Sequence, residues 1–266
     1  GSDGEGGGNP HKRAIDVHAR LGVMFLQQGM RTAGSTLMNS GTTFNVDNYN
    51  LGTSALSLAL GGEITYPYGK NAVVGAELAY DYARAIPGIH YNMTDTGISI
   101  HNINARALYG YDLHKKNGMM LFGRLGLRYE GFQVNVTNYT DPKQNPALIP
   151  SENLYAPTLG AALAIPKLTD KIGLKVALDA VLFGASITQT KALEDGASPS
   201  AKLVCLEGVF RYKWKKDLDL QGMYDLNYGS YDFGKPLSTS MRGHTGNDVT
   251  RTDIFHTLTF GIAKGF

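Results

Sequence analysis

Charge is scarce in this chain. Asp, Glu, Lys and Arg together make up 18% of its 266 residues, where soluble domains average about a quarter. The formal balance of +2 is too small for the electrostatic footprint of a nucleic-acid binder, and no nucleic-acid partner is expected. The single cysteine, Cys205, excludes an internal disulfide and any thiolate metal framework. No run of about twenty apolar residues occurs, so no transmembrane helix is encoded. The seven histidines are scattered without metal-ligand spacing, and no glycine-rich phosphate loop is present. No metal and no cofactor is expected. Helical periodicity is also nearly missing.

What replaces it is alternation with period two, the mark of strands with one apolar face. About ten such segments run along the chain: 14–27, 50–66, 72–82, 99–111, 119–132, 154–165, 172–183, 202–214, 218–228 and 252–266. Short turns such as "PYGKN", "PKLTDK" and "KKD" follow the even-numbered segments. Polar stretches of roughly fifteen to twenty-two residues, rich in Tyr, Asn and Thr, follow the odd-numbered ones. A strict short–long rhythm means antiparallel neighbours with every long loop at one end. Residues 1–13, "GSDGEGGGNPHKR", read as a Gly-rich tail or linker at the start of a processed or truncated form, and residues 14–266 as one barrel.

The two faces of the segments differ sharply. One carries Leu56, Leu58, Leu60, Val74, Ala76, Leu78, Leu121, Leu125, Leu127, Leu174, Val176, Leu178, Val204 and Leu206. The other carries Asp16, Arg20, Glu77, Asp81, Arg106, Arg124, Arg128, Glu130, Lys175, Asp179, Glu207, Arg211 and Asp225. A soluble ligand-binding barrel would turn the apolar face inward. Two features oppose that. The segments are longer than the five or six residues usual in soluble strands. Aromatics also flank the apolar face at both ends: Tyr66, Tyr111, Tyr212, Trp214 and Phe266 by the short turns, and Tyr80, Tyr82, Tyr129 and Tyr224 by the long loops. Paired girdles around an aliphatic band are the signature of a lipid-facing surface. The expected fold is an all-β, antiparallel, up-and-down transmembrane barrel of about ten strands.

The ending "TLTFGIAKGF" places Leu258, Phe260 and Ile262 at alternating positions before a terminal Phe266. In this the chain resembles bacterial outer-membrane β-barrel proteins, with Lys264 as the one departure. The resemblance covers most of the chain and implies integral insertion in that membrane, short turns on the periplasmic side and long loops outside. It also implies recognition of the terminal segment by the barrel-assembly machinery, and contact with outer-membrane lipid and lipopolysaccharide. A protein partner is expected at the tail or the outer loops.

A lumen carrying both signs of charge is expected to be filled by salt-bridged side chains, since isolated charges there are costly. Ala156, Gly160, Ala162 and Ala164 leave room on the sixth segment. The residues alone support a non-catalytic barrel for surface interaction, anchoring or assembly. A narrow pore or small-solute transporter is the alternative, and an outer-membrane protease or lipid-modifying enzyme the second. For the protease, Asp81, Asp225, Asp232 and His244 are the rim and loop candidates. No Asp-x-Asp flanks Asp81 and no Asp-x-His lies at that end. For a lipid hydrolase, His256 lacks a matching serine and acid. Apolar loop residues (Leu37, Met38, Ile86, Ile89, Met93, Leu148 and Ile149) read as self-packing.

Overall fold

The computed structural model describes residues 11–33, 37–39, 42–44, 49–85, 89–91, 94–114, 118–137, 151–189, 199–234 and 247–266. Ten long strands form a closed antiparallel ring. In order they are Ala14–Ala33, Tyr49–Tyr68, Ala72–Ala85, Thr94–His114, Met119–Thr137, Glu152–Ile165, Ile172–Val181, Ser200–Lys215, Leu218–Gly234 and Asn247–Gly265; we call them first to tenth. The tenth pairs with the first from Gly265↔Asp16 to Asn247↔Ala33. The Phe266 N–H donates to the Ile15 carbonyl at 2.8 Å. Closure therefore removes the apolar edge that a free terminal strand would expose. The apolar loop residues, His244, and the loop positions near Ser40, Asn92, Asn145, Asp195 and Gly243 lie outside the described residues or among side chains not described.

Pairing can be followed once around the ring from Ile15, through Ile64, Ala76, Ala107, Leu125, Leu159, Ala180, Val204, Tyr228 and Ile254. It arrives at Gln27, twelve residues beyond the start on the same strand. That stagger fixes a strong strand tilt and decides which side chains meet across the interior. Most strands run farther at the long-loop end than the sequence reading gave them, and one is shorter. The seventh ends at Val181, not Phe183, and pairing with the sixth resumes at Ser186↔Tyr155. The interruption lies opposite Pro157, which has no N–H to give the ladder. Gly184, at φ 71°, supplies the left-handed residue the detour needs.

The outward face is apolar and bare. Leu21, Leu125, Leu127, Leu159 and Phe260 are all more than 60% exposed. An unbroken belt of such leucines around a whole molecule is a surface for lipid. Tyr66, Tyr111, Tyr212, Trp214 and Phe266 are exposed at the short-turn margin, with Tyr224 and Tyr155 exposed at the other. Leu258 and Ile262 share the outward face with Phe260 and Phe266.

Most strands run on past the outer girdle at the long-loop end. There the sign of the alternation reverses. On the fifth strand, Arg124, Arg128 and Glu130 point inward, and so do Phe132 and Val134 beyond them. On the first strand, Arg20 is followed inward by Met24 and Leu26. These apolar residues join Ile98, Ile100, Leu154, Val181, Leu203, Tyr231, Phe233 and Phe255 in one buried cluster. The molecule is thus two-storeyed, with an inside-out membrane section below a conventional hydrophobic core.

Candidate functional site

The membrane section of the interior holds a ladder of ion pairs. Its lowest rung is Asp16–Arg211, two hydrogen bonds of 2.6 and 2.8 Å between the first and eighth strands. Above it the Lys175 ammonium reaches Glu63 at 3.1 Å and Glu77 at 3.3 Å. Glu77 also receives Arg106, and Arg124 at 3.3 Å. Both arginines reach Asp179, at 3.0 and 3.3 Å. Three cations and three carboxylates from five strands thus share one network, which satisfies charges that would be costly alone. Gly160, on the sixth strand, faces the Asp179 carboxylate, and a Cβ there would collide with it. The small residue makes room for an acid.

A second cluster lies higher. Arg128 donates to Glu130 at 2.7 Å and to Asn227 at 3.1 Å, and Tyr231 donates to the other Glu130 oxygen at 2.9 Å. Arg20 donates to Gln221 at 2.5 Å and Thr259 at 3.2 Å. Asp81, Glu207 and Asp225 sit within one another's field near Arg20 and Arg128. Asp225 accepts from the Asn227 amide at 2.9 Å. Asp81 and Glu207 have no ion-pair partner within 4.0 Å among the described residues.

The network does not fill the lumen, as a full side-chain plug would. A cavity of about 580 Å³ runs through it, lined by Asp16, His18, Glu77, Arg106, Arg128 and Asp225 with Met120, Phe122 and Met223 on an apolar stretch of wall. It reaches the short-turn end, where Lys12, Lys167 and Asp217 border it. His11, just before the first strand, spans part of that mouth and lies 2.7 Å from Asp112 of the fourth strand. At the other end the hydrophobic cluster closes over the charges.

Inside that cap lies a charge group that the sequence reading missed. Arg251 is buried with a side-chain exposure of 0%. It forms a two-pronged pair with Glu152 and reaches Asp253 at 2.9 Å. Its guanidinium lies over Tyr231 at 4.3 Å, with Phe132 and Phe233 slightly farther off. The available signal was Arg251 and Asp253 alternating at a loop base, which resembles any polar loop margin.

The histidines are dispersed. His101 and His256 sit on the outer face, each 3.0 Å or less from a tyrosine hydroxyl, Tyr80 and Tyr224 respectively. Tyr82 packs on His101, and Tyr129 packs on Tyr155. Asp-x-His spacing does occur, at Asp16–His18 and Asp112–His114, but at the short-turn end, away from the rim. No group of three metal-capable side chains exists among the described residues.

No protein-family model and no curated relative matches the chain. Among solved structures it is similar to the outer membrane protease OmpT from Escherichia coli, with a TM-score of 0.56 and 9% identity over 95% of this chain and 97% of that one. It is also similar to OprG from Pseudomonas aeruginosa, with a TM-score of 0.38 and 13% identity over 97% and 98%. The likeness to the protease is one of fold. Together with the lipid-facing belt, it identifies the architecture as that of a bacterial outer-membrane barrel.

Proposed function

We propose that this outer-membrane β-barrel is a sealed, non-catalytic anchor that works through its two ends. The single observation that carries the reading is the cap. Eighteen buried residues, from Met24 to Phe255 and drawn from all ten strands, form one apolar cluster at the long-loop end of the lumen, closed around the paired Arg251 group. A dry core of that kind is packed like any protein interior and leaves no water path. The cavity beneath it is then a blind cup open to the periplasm. The tail before Ala14 and the outer loops are the surfaces available to a protein partner. Lipopolysaccharide and the barrel-assembly machinery engage the lipid-facing wall and the Leu258–Phe266 segment.

OmpT's proteolysis does not travel with the shared fold. Acid–base chemistry of that kind needs a histidine and a carboxylate together at the accessible outer rim. Among the described residues, His101 and His256 face outward against tyrosines, and the His11–Asp112 pair lies at the short-turn mouth, at the opposite end, which supports the non-catalytic reading. The test is planar-bilayer recording of the refolded protein. We expect no steady conductance above the bare membrane. Stable, voltage-independent channels would overturn the sealed reading and restore the pore.

A further inference from the structure

Positive charge is concentrated at the short-turn end. Among the described residues, 12–13, 68–71, 112–114, 118, 166–171, 213–219 and 264–266 form the turns and adjoining strand ends. They contain nine Lys and Arg against four Asp and Glu, a surplus of five in a chain whose total is +2. Counting Asp3 and Glu5 upstream still leaves three. Lys70, Lys167, Lys171, Lys215, Lys216 and Lys264 are exposed. None of them has a carboxylate within 4.0 Å among the described residues. The interior charges, by contrast, are largely spent on one another.

Two of these lysines are held at the depth of lipid headgroups. The Lys215 ammonium lies 4.8 Å from the centroid of the Trp214 ring, and that of Lys264 lies 4.7 Å from the Phe266 ring. Both rings belong to the lipid-facing aromatic margin, 55% and 69% exposed. Aromatic residues mark the membrane–water boundary, so a cation stacked on them sits beside phosphates. The neighbouring turn lysines lie around the same rim, and unpaired cations near an anionic surface act together within a Debye length.

From this juxtaposition we infer that the short-turn rim is a cationic collar that gathers anionic glycerophospholipids in the leaflet it faces. The recognised group is the phosphodiester of a lipid with net negative charge, and the belt beneath takes the acyl chains. A soluble partner would not require the ammonium groups to be seated on lipid-facing rings, and this favours lipid over a periplasmic polyanion.

Trp214 is the only tryptophan and lies against Lys215, so its fluorescence reports lipid next to the collar. The barrel is refolded into vesicles of the same composition in both leaflets, which makes insertion direction irrelevant. Brominated phosphatidylglycerol or brominated phosphatidylcholine then replaces a fixed fraction of the lipid. We expect phosphatidylglycerol to associate about threefold more strongly at low salt, as clustered lysines at an anionic surface should allow. That preference should fall towards unity in high salt and in the Lys215→Gln/Lys264→Gln variant. The substituted side chains are exposed, and far-UV circular dichroism verifies that the variant folds. Equal quenching by the two lipids, or a preference unchanged in the variant, overturns the inference. So does co-sedimentation with peptidoglycan without any lipid preference, which would assign the collar to the cell wall. Conductance plays no part in this readout, so it fails or stands apart from the sealed-barrel reading.

Discussion

At the scale of single residues, Arg251 carries the sharpest consequence. Its charge is balanced by Glu152 and Asp253 inside an apolar core, with rings of Tyr231, Phe132 and Phe233 around it. A buried ion group contributes little net stability when whole, but removing one partner strands the others. Arg251→Met leaves two carboxylates facing hydrocarbon, and we expect a loss of about 3–5 kcal/mol. The Arg251→Met/Glu152→Leu/Asp253→Leu combination removes every charge of the trio and should recover most of that loss. Urea unfolding of the lipid-reconstituted barrel measures both. Equal destabilisation by the single and triple changes would mean that packing, not stranded charge, dominates at this site.

Individual strands pose a different question, because one strand serves two solvents. The fifth presents Leu125 and Leu127 to lipid at 64% and 68% exposure, while Arg124 between its neighbours is fully buried. Arginine in place of Leu125, midway between the two girdles, should cost about 2–4 kcal/mol. Leu113 is also exposed, at 51%, but lies at the short-turn end of the fourth strand. Leu113→Arg should cost about 0–1 kcal/mol, the value for interfacial depths. Unfolding free energies in vesicles decide the matter, and similar costs at the two positions would remove Leu125 from the bilayer midplane. Past the outer girdle the same strand turns Phe132 and Val134 inward. This reversal is why the period-two segments read too short at that end. Where lipid gives way to water, the apolar residues change face, and a pattern that changes phase cancels itself in a sequence window.

The whole molecule has a direction. Short turns, the mouth of the cup and the cationic rim share one end, and the apolar cap and long loops share the other. We expect the short-turn end to face the periplasm. In a Cys205→Ala background, a cysteine at Lys70 or Asp170 should resist an impermeant thiol reagent on intact cells, while one at Asp195 should react. Labelling at Lys70 instead would invert the barrel and, with it, the leaflet that the collar touches.

The sequence by itself determined the class of the fold. Strict alternation, the short–long rhythm of connections and the double aromatic girdle are local properties. Each strand of a membrane barrel must satisfy lipid on one face without help from distant residues. The same locality made the inward positions of Asp16, Arg106, Arg124 and Lys175 legible. What joins them was not. Arg211 meets Asp16 across 195 positions of chain, and Lys175 meets Glu63 across 112. Those encounters depend on the twelve-residue stagger of the closed ring, which sets the height of every side chain in the lumen. The cap was hidden for a related reason. Its residues are apolar at loop bases, and only closure of the ring brings ten strand ends near enough to exclude water between them.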